Sequence, residues 1–326
     1  MLNWNGSQDT IECLDSLSVS KYLCDIYILD NASKPEQLSE LESYLNKSDW
    51  RFSICSLTGF TDGKTEKTEL VLIKSEKNLG FAVGNNRVAE KIGKDYKYLL
   101  LLNNDTVVPE NSIKNMLEAM GRYKPTALTC DIRYNYDRSV LWNAGGNFKW
   151  YGDRKYFSQK KIDKLEKKNI KYIKAQFVTG CALMVDCNYI NGYGLLTEKF
   201  FHGEEDYNFC YRLKKKKLRV GVDLTSRIYH KVGQSINRSD DNTKKLKSNI
   251  VHYTNRVIDY KEFYGSFRWR LWRIFYINLV ILKRRLSGLD KGAAKLLKRK
   301  IYFYSNNFDN VKWDVFSEIM NDPDIC

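Results

Sequence analysis

In the first third of the chain, short apolar blocks alternate with stretches whose apolar residues recur at helical spacing. Met1 to Asn5 reads as the tail of a first strand. Ser7 can cap a helix that carries Ile11, Leu14 and Leu17 on one face. Ile26 to Leu29 is a second strand, and it runs into Asp30-Asn31-Ala32-Ser33. Pro35 suits the first turn of a helix bearing Leu38, Leu41 and Leu45. Trp50 to Lys67 shows no period and reads as an insertion. Leu70 to Lys74 is a third strand, followed by Asn78-Leu79-Gly80-Phe81 and a helix through Ile92. The fourth strand, Tyr98 to Leu102, is too short to span a bilayer. Its lack of alternation suits a central parallel strand buried on both faces. Strand and helix in this order predict an α/β fold with a mostly parallel, doubly wound sheet.

The leucine run Leu99 to Leu102 passes straight into Asn103-Asn104-Asp105. Taken alone, the triplet is explained as well by a polar turn leading through Thr106 and Pro109 into a helix. In open parallel sheets, however, ligands bind just beyond the carboxyl ends of the strands. The polar clusters after the second, third and fourth strands all fall at such ends, which favours one shared site.

The second half is less regular. Trp142-Asn143-Ala144-Gly145-Gly146 is a turn, and Lys160 to Lys174 is a lysine-rich solvated excursion. Gln176 to Val185 is a buried element, and HGEEDYNFCYRLKKKK opens a helix with Phe209 and Leu213 on one face. Leu218 to Val222 is a strand, and Ile228-Tyr229-His230 follows. From Ser235 the character changes to long basic helices with interleaved aromatics. The reading is a first domain over 1–234 and a helical extension over 235–326.

Composition narrows the classes. The chain has 326 residues, 43% of them hydrophobic, so a large core is affordable. A net charge of +15 raises nucleic acid, an anionic membrane or a phosphorylated ligand as partners. The eight cysteines form no C-x-x-C pair, which argues against a thiolate zinc site, and a reducing cytosol suits them. No signal peptide is read before the early polar residues Asn3 and Asn5.

Several residues could carry chemistry. Asp30, at a strand end, can start a turn or accept hydrogen bonds from a base or ribose. Asn78, Gly80 and Phe81, with Gly84-Asn85-Asn86, make a glycine-containing helix start that can bring backbone amides to a phosphate. Asp105 is a hard oxygen ligand of the kind Mg²⁺ or Mn²⁺ uses to bridge phosphates. It would need a second protein ligand, and His230 is the candidate, with a purely structural histidine as the alternative. Glu204-Glu205-Asp206 begins a helix, where acidic residues favourably meet the dipole. Three in a row exceed what capping needs, and one can serve as a general base.

The stretches LNWNG, LDNAS, NLGFAVGNN, LLLLNNDT, FVTGCALMV, GEEDYNFCYRLKKK and IYH occur in that order over roughly residues 1 to 231. The ordered set resembles the inverting nucleotide-sugar glycosyltransferases of family two, which have the GT-A fold. Within them it looks most like rhamnosyltransferase-like bacterial members that build cell-surface polysaccharides. The resemblance implies a nucleoside-diphosphate sugar donor, a glycan or lipid-linked glycan acceptor, and a divalent metal, Mg²⁺ or Mn²⁺. Asn103 and Asp105 match the first and last positions of the family's D-x-D motif, and Asn103 departs from it by losing a charge. Asp30 falls where the family contacts the nucleobase, with Asn3 and Trp4 at the edge of the same pocket; Asn78 and Gly80 are carried over as donor contacts. Glu205-Asp206 matches the pair that supplies the catalytic base, and His230 a metal or diphosphate contact. Relatives carry more residues before LNWNG, so the chain is expected to start inside its first strand.

Two further readings accompany this one. A catalytically weak glycan-binding or scaffold subunit would suit the altered D-x-D and is opposed by the intact Glu-Asp pair. Nucleic-acid binding is disfavoured, because the basic residues concentrate outside the strand-end cleft. Residues 264 to 300 are expected to lie on an anionic membrane surface, on the inner face of a bacterial membrane. Trp269, Trp272, Phe275 and Tyr276 would supply apolar bulk and the flanking arginines the charge. The alternative for this stretch is a helical cap on the catalytic domain or an oligomer contact, such as a homo-oligomer.

Overall fold

The computed structural model of the chain describes residues 1–61, 68–232 and 242–325, and at Lys21 and Tyr22 only the backbone. The first half runs β1 (Leu2–Asn3), α1 (Ser7–Leu17), β2 (Ile26–Asp30), α2 (Pro35–Lys47), β3 (Phe52–Ser56), β4 (Leu70–Lys74) and α3 (Gly80–Ile92). It continues through β5 (Tyr98–Leu102), β6 (Thr106–Val107), α4 (Ser112–Tyr123), β7 (Ala127–Tyr134), β8 (Leu141–Asn143), β9 (Gly146–Phe148) and β10 (Arg154–Tyr156). Then come α5 (Gln159–Lys167), β11 (Tyr172–Ala175), β12 (Ala182–Asp186), α6 (Cys187–Tyr193), α7 (Glu205–Lys215) and β13 (Val220–His230). Four helices close the chain: α8 (Asn242–Tyr264), α9 (Ser266–Leu286), α10 (Lys291–Asn307) and α11 (Trp313–Met320).

The α/β expectation holds. One sheet is wholly parallel, in the order β1-β2-β4-β3, and helices cover it. A second, mixed sheet runs β11-β13-β7-β12-β5, with β6 added on β13 and β8 on β7. Leu14, Ile28, Leu41, Leu72, Met116 and Leu128 lie in the buried layer that the helices share with the sheets.

Three expectations are corrected. The leucine strand β5 is not a parallel strand in mid-sheet; it is an outer strand paired antiparallel with β12, Leu102 opposite Ala182. An apolar run reports burial, and burial is the same for either strand direction. The stretch taken as an insertion contains β3, a parallel edge strand in register with β4 from Phe52↔Leu70 to Ser56↔Lys74. Its side chains are mostly exposed, so it has no apolar period to read; residues 62–67 lie outside the described residues. The two late strands are one, β13, whose register on β7 shifts between Asp223 and Arg227. At the break the Asp223 carboxylate accepts from Thr225 and Ser226.

Helices α8 to α11 share a core of their own that includes Ile250, Tyr276, Leu297, Ile301 and Ile319. Phe200, just before the acidic triplet, is buried in that core. Here the expected outward placement of the aromatics is overturned for three of the four, Phe275 alone staying exposed. Trp269 is 5% exposed and Tyr276 1%, and Trp272 stacks between Tyr260 and Tyr276. Helix α9 is apolar on nearly every side, so spacing alone does not say which face meets the core. The expected boundary at 234/235 lies outside the described residues.

Candidate active site

Asp30 ends β2, Asn103 to Asp105 follow β5 and His230 ends β13, whereas Glu205 and Asp206 open α7. At the parallel sheet, Asp30 ends β2 and is buried. Its Oδ2 accepts from Asn3 Nδ2 at 2.8 Å and its Oδ1 from the Ser33 amide at 3.0 Å. Asn3 is fully buried and also accepts from Thr10 at 3.0 Å, so it orients Asp30 from behind. Trp4 is 54% exposed beside this pair, free to meet a ligand. Asn104 joins the network by donating to Thr10 at 2.9 Å.

The start of α3 differs from the expectation of a phosphate-binding amide cluster. The Gly80 amide is taken by Asn78 Oδ1 at 2.9 Å and the Leu79 amide by Asn31 Oδ1 at 2.9 Å. The Phe81 amide goes to the Phe201 carbonyl at 3.3 Å. With these donors satisfied inside the chain, Asn78 and Gly80 hold a wall. Gly80 has φ +76°, and a Cβ there would fall 2.7 Å from the Phe201 carbonyl oxygen. Gly84 packs on Leu2 and Leu29, and Asn86 holds the Leu196 backbone at 2.9 and 3.0 Å.

Asp105 and His230 do meet. The antiparallel pairing of β6 on β13 sets Thr106 opposite His230. That register brings His230 Nε2 to 3.0 Å from Asp105 Oδ1. Lys231, the next residue, bonds Asp9 at 2.9 Å and Glu12 at 2.6 Å and so ties the strand end to α1. Trp142 stands edge-on to the imidazole at 4.3 Å, and the other ring nitrogen, Nδ1, is buried without a partner. Among the described residues no group of three or more His, Cys, Asp and Glu side chains could hold a metal unaided. A carboxylate and an imidazole that converge at a strand end do fit a divalent ion whose remaining ligands come from elsewhere.

The acidic triplet lies at the start of α7. Glu205 and Asp206 form the first turn of α7, and Glu204 precedes them in a left-handed conformation. The Gly180 amide donates to Asp206 Oδ2 at 3.0 Å. One residue on, the Cys181 carbonyl accepts from the Asn103 amide at 2.8 Å. The loop before β12 therefore links Asp206 to the Asn103-Asp105 corner through the consecutive residues Gly180 and Cys181. Burial raises the proton affinity of both Glu205 and Asp206, and Asp206 and Glu204 push Glu205 further. The Gly180 amide and the Arg154 guanidinium offset the rise at Asp206, leaving it the more acidic of the two. Glu205 Oε2 has no partner.

Residues 1–194 match the family model described as Glycosyl transferase family 2. The chain belongs to that family. The match contains Asn3, Asp30, Asn78, Asn103 and Asp105 and stops short of Glu205, Asp206 and His230. Nothing among curated proteins matches this family 2 chain. Among solved structures it is similar to GalNAc-T7, crystallised with UDP, GalNAc and Mn2+, at a TM-score of 0.56 and 15% identity. That likeness covers 94% of this chain and 51% of the other, so this chain spans about half the length of that relative. A mannosyltransferase from Pyrobaculum calidifontis, in complex with GDP-Man and Mn2+, is similar at a TM-score of 0.50 and 10% identity, over 98% and 83% of the two chains. At these identities the likeness is one of fold.

Sequence reasoning missed Arg154 and Gly180. Arg154 lies in the span between the Trp142 turn and the lysine-rich excursion, and its guanidinium is buried over the Tyr207 ring beside the triplet. A hydrogen bond from a backbone amide, as at Gly180, leaves no trace in residue type.

Proposed function

We propose that the chain is an inverting glycosyltransferase that moves a hexosyl or deoxyhexosyl unit from a nucleoside-diphosphate sugar to a glycan or lipid-linked glycan acceptor. The observation that carries the reading is the bracket formed by Asp206 on one side and Asp105 with His230 on the other, joined through Gly180, Cys181 and Asn103. Asp105 and His230 would hold Mg²⁺ or Mn²⁺ on the donor diphosphate, and the metal supplies charge stabilisation to the leaving group. Asp30, with Asn3 behind it and Trp4 beside it, faces the nucleoside; Asn103 stands at the corner nearest the ribose. Asp206 accepts the proton of the acceptor hydroxyl as that oxygen attacks the anomeric carbon. The bond from that carbon to the diphosphate breaks, and the electron pair leaves with the nucleoside diphosphate. Glu205 stays protonated and lends Asp206 a neutral neighbour. Rhamnosyl donors, and a role in cell-surface polysaccharide synthesis, follow from the sequence resemblance and come first in the test. Release of nucleoside diphosphate from a panel of nucleotide sugars, with and without glycan acceptors, is that test. No release from any donor would remove the enzymatic reading.

The catalytic unit on this reading is residues 1–234, and the helical extension 235–326 seats it on an anionic membrane at the cytoplasmic face. No helix among the described residues is long and apolar enough to cross a membrane. The outer face of α9 instead exposes Phe267, Leu271, Ile274, Phe275, Leu282 and Leu286, edged by Arg268, Arg270 and Arg285. Trp150, 85% exposed, stacks on Phe275 and extends the same apolar face. A helix apolar on its outer as well as its inner side calls for a cover, and the arginines favour an anionic one.

A further inference from the structure

Two consecutive residues before the catalytic helix hold left-handed backbone, Gly203 at φ +83° and Glu204 at φ +81°. Glycine adopts this freely, whereas a side chain there is strained and needs outside support. Glu204 has that support. Its carboxylate is 1% exposed and pairs with the guanidinium of Arg154, itself 2% exposed, from β10. On the other side Arg256 Nε of α8 lies 3.8 Å from Glu204 Oε2.

The supports are themselves held by the C-terminal helices. Asn255 of α8 donates to the carbonyls of His202 at 3.0 Å and Gly203 at 3.1 Å, fixing the two residues that lead into Glu204. Asn208, one turn into α7, donates to Asp259 of α8 at 2.6 Å. The Phe201 amide bonds the Val311 carbonyl at 2.7 Å, just ahead of α11. Arg256 also bonds Asp153 at 3.2 Å and Tyr276 at 2.7 Å, and Lys283 of α9 bonds Asp153 at 2.6 Å. Tyr260 holds the Gly152 carbonyl at 3.0 Å. Helix α8 therefore grips both the turn that presents Arg154 and the Glu204 loop, and α9 adds Lys283 on the turn.

We propose that Glu204 is a positioning residue, and that α8, through Asn255 and Arg256, latches the 202–206 loop so that Asp206 faces the site. The helical extension is then a working part of the active site as well as a seat. A buried carboxylate between two guanidiniums is costly, the more so because Glu204 Oε2, Arg154 Nε and Nη1 and Arg256 Nε have no hydrogen-bond partner, and stability alone would be served as well by apolar packing. What the ion cluster adds is a fixed direction for the loop. It also sets the field at Asp206. The groups that face Asp206 are Arg154 from β10, the Gly180 amide from the loop before β12, and Glu204, Glu205 and Tyr207 of its own segment. Of these, Glu204 raises its proton affinity and Arg154 lowers it.

This inference rests on the glycosyltransferase reading for its kinetic arm but has an arm that does not. Glu204→Gln keeps the size and removes the charge. It is expected to lower kcat at least tenfold with the KM for donor within twofold, and to move the acid limb of the kcat–pH profile to lower pH. Leu297→Ala, in the core of the helical unit and remote from the loop, lowers thermal stability and is expected to leave that limb in place. In the activity-free arm, Asn255→Ala is expected to speed amide hydrogen exchange across 199–208 while β2 and β5 stay protected. Unchanged kcat and pH limb in Glu204→Gln, or an equal shift in Leu297→Ala, would overturn the proposal. So would exchange in Asn255→Ala that matches wild type. If Glu204→Gln does not fold, Arg256→Lys is read by the same kinetics, and a wild-type profile there would equally overturn it. A wild type with no transfer at all, but with the exchange result as expected, would sink the enzymatic reading and leave the latch standing.

Discussion

His230 Nε2 and Asp105 Oδ1 lie 3.0 Å apart although the residues are 125 positions apart in the chain. The contact is a consequence of the two-residue strand β6 lying in register on the end of β13, and not of any local motif. Removing either side chain leaves the other buried among poor partners, with His230 Nδ1 already unpaired. We expect Asp105→Ala to keep the fold, to lose Mn²⁺ binding measured by electron spin resonance, and to abolish turnover. Excess EDTA should silence the wild type, with Mn²⁺ or Mg²⁺ restoring it. Full wild-type turnover in EDTA would remove the metal from the mechanism.

The exposed face of α9 makes a quantitative expectation. Each basic side chain near an anionic surface contributes about 1 kcal/mol. Replacing Arg268, Arg270 and Arg285 together by Gln should therefore weaken binding to phosphatidylglycerol vesicles by roughly a hundredfold. Leu271→Glu should do so through the apolar stripe, with turnover on a soluble acceptor unchanged. Co-sedimentation measures both. Equal binding to neutral phosphatidylcholine, or none to either vesicle at low salt, would count against a membrane seat. Concentration-dependent dimerisation by the same face would then identify a second copy as its cover.

Glu205 carries a stability prediction whose sign follows from its raised proton affinity. The folded state holds a proton on Glu205 over a range where the unfolded chain has released it. Stability from this group is therefore intact at acid pH, below the ordinary carboxylate range, and is lost as pH climbs through neutrality. Glu205→Gln removes the burden of a buried charge. It should raise the thermal midpoint at pH 8, by on the order of 1 kcal/mol or more in stability, and make little difference near pH 4. A variant less stable than wild type at pH 8 would mean that the ionised carboxylate has a partner in solution.

Much of the candidate site was legible because strand ends are legible. Asp30, Asn103 and Asp105 each follow an apolar block, and the block marks where the strand stops. The direction of β5 was not legible, since a leucine run says only that both faces are covered. Helix α9 misled in a related way. Trp269, Trp272 and Tyr276 sit among arginines in sequence, yet each faces the helical core or Tyr151. Arg154 and Arg256 were invisible for a different reason. Their partner Glu204 is 50 or more positions away, and nothing in the flanking residues marks a buried guanidinium. Asn78 and Gly80 were found, but the amides of Leu79, Gly80 and Phe81 are consumed by Asn31, Asn78 and Phe201, contacts that only the folded chain makes.

In the proposed mechanism, Asp206 is the residue on which transfer turns. Inversion at an anomeric carbon needs one in-line displacement, in which the acceptor hydroxyl attacks from the face opposite the diphosphate and sheds its proton as it does so. A carboxylate that takes that proton in the transition state typically contributes about 10²–10⁴-fold in rate. Two carboxylates stand at the start of α7, and their surroundings separate them. Asp206 accepts the Gly180 amide at 3.0 Å and faces Arg154, so it is the one that ionises first. Glu205 has an orphaned oxygen, and burial together with the Asp206 and Glu204 charges outweighs the pull of Arg154, so it holds its proton longer. Asp206→Asn keeps the shape, and its side-chain oxygen can still accept from Gly180. It should bind donor and metal nearly as wild type does yet lose at least about a hundredfold in kcat. In the wild type, kcat should fall on the acid side as Asp206 takes up its proton, and this limb should vanish in the variant. If Asp206→Asn turns over normally while Glu205→Gln is dead, the base is Glu205. If both remain active, neither carboxylate takes the proton, and the catalytic reading of the triplet fails.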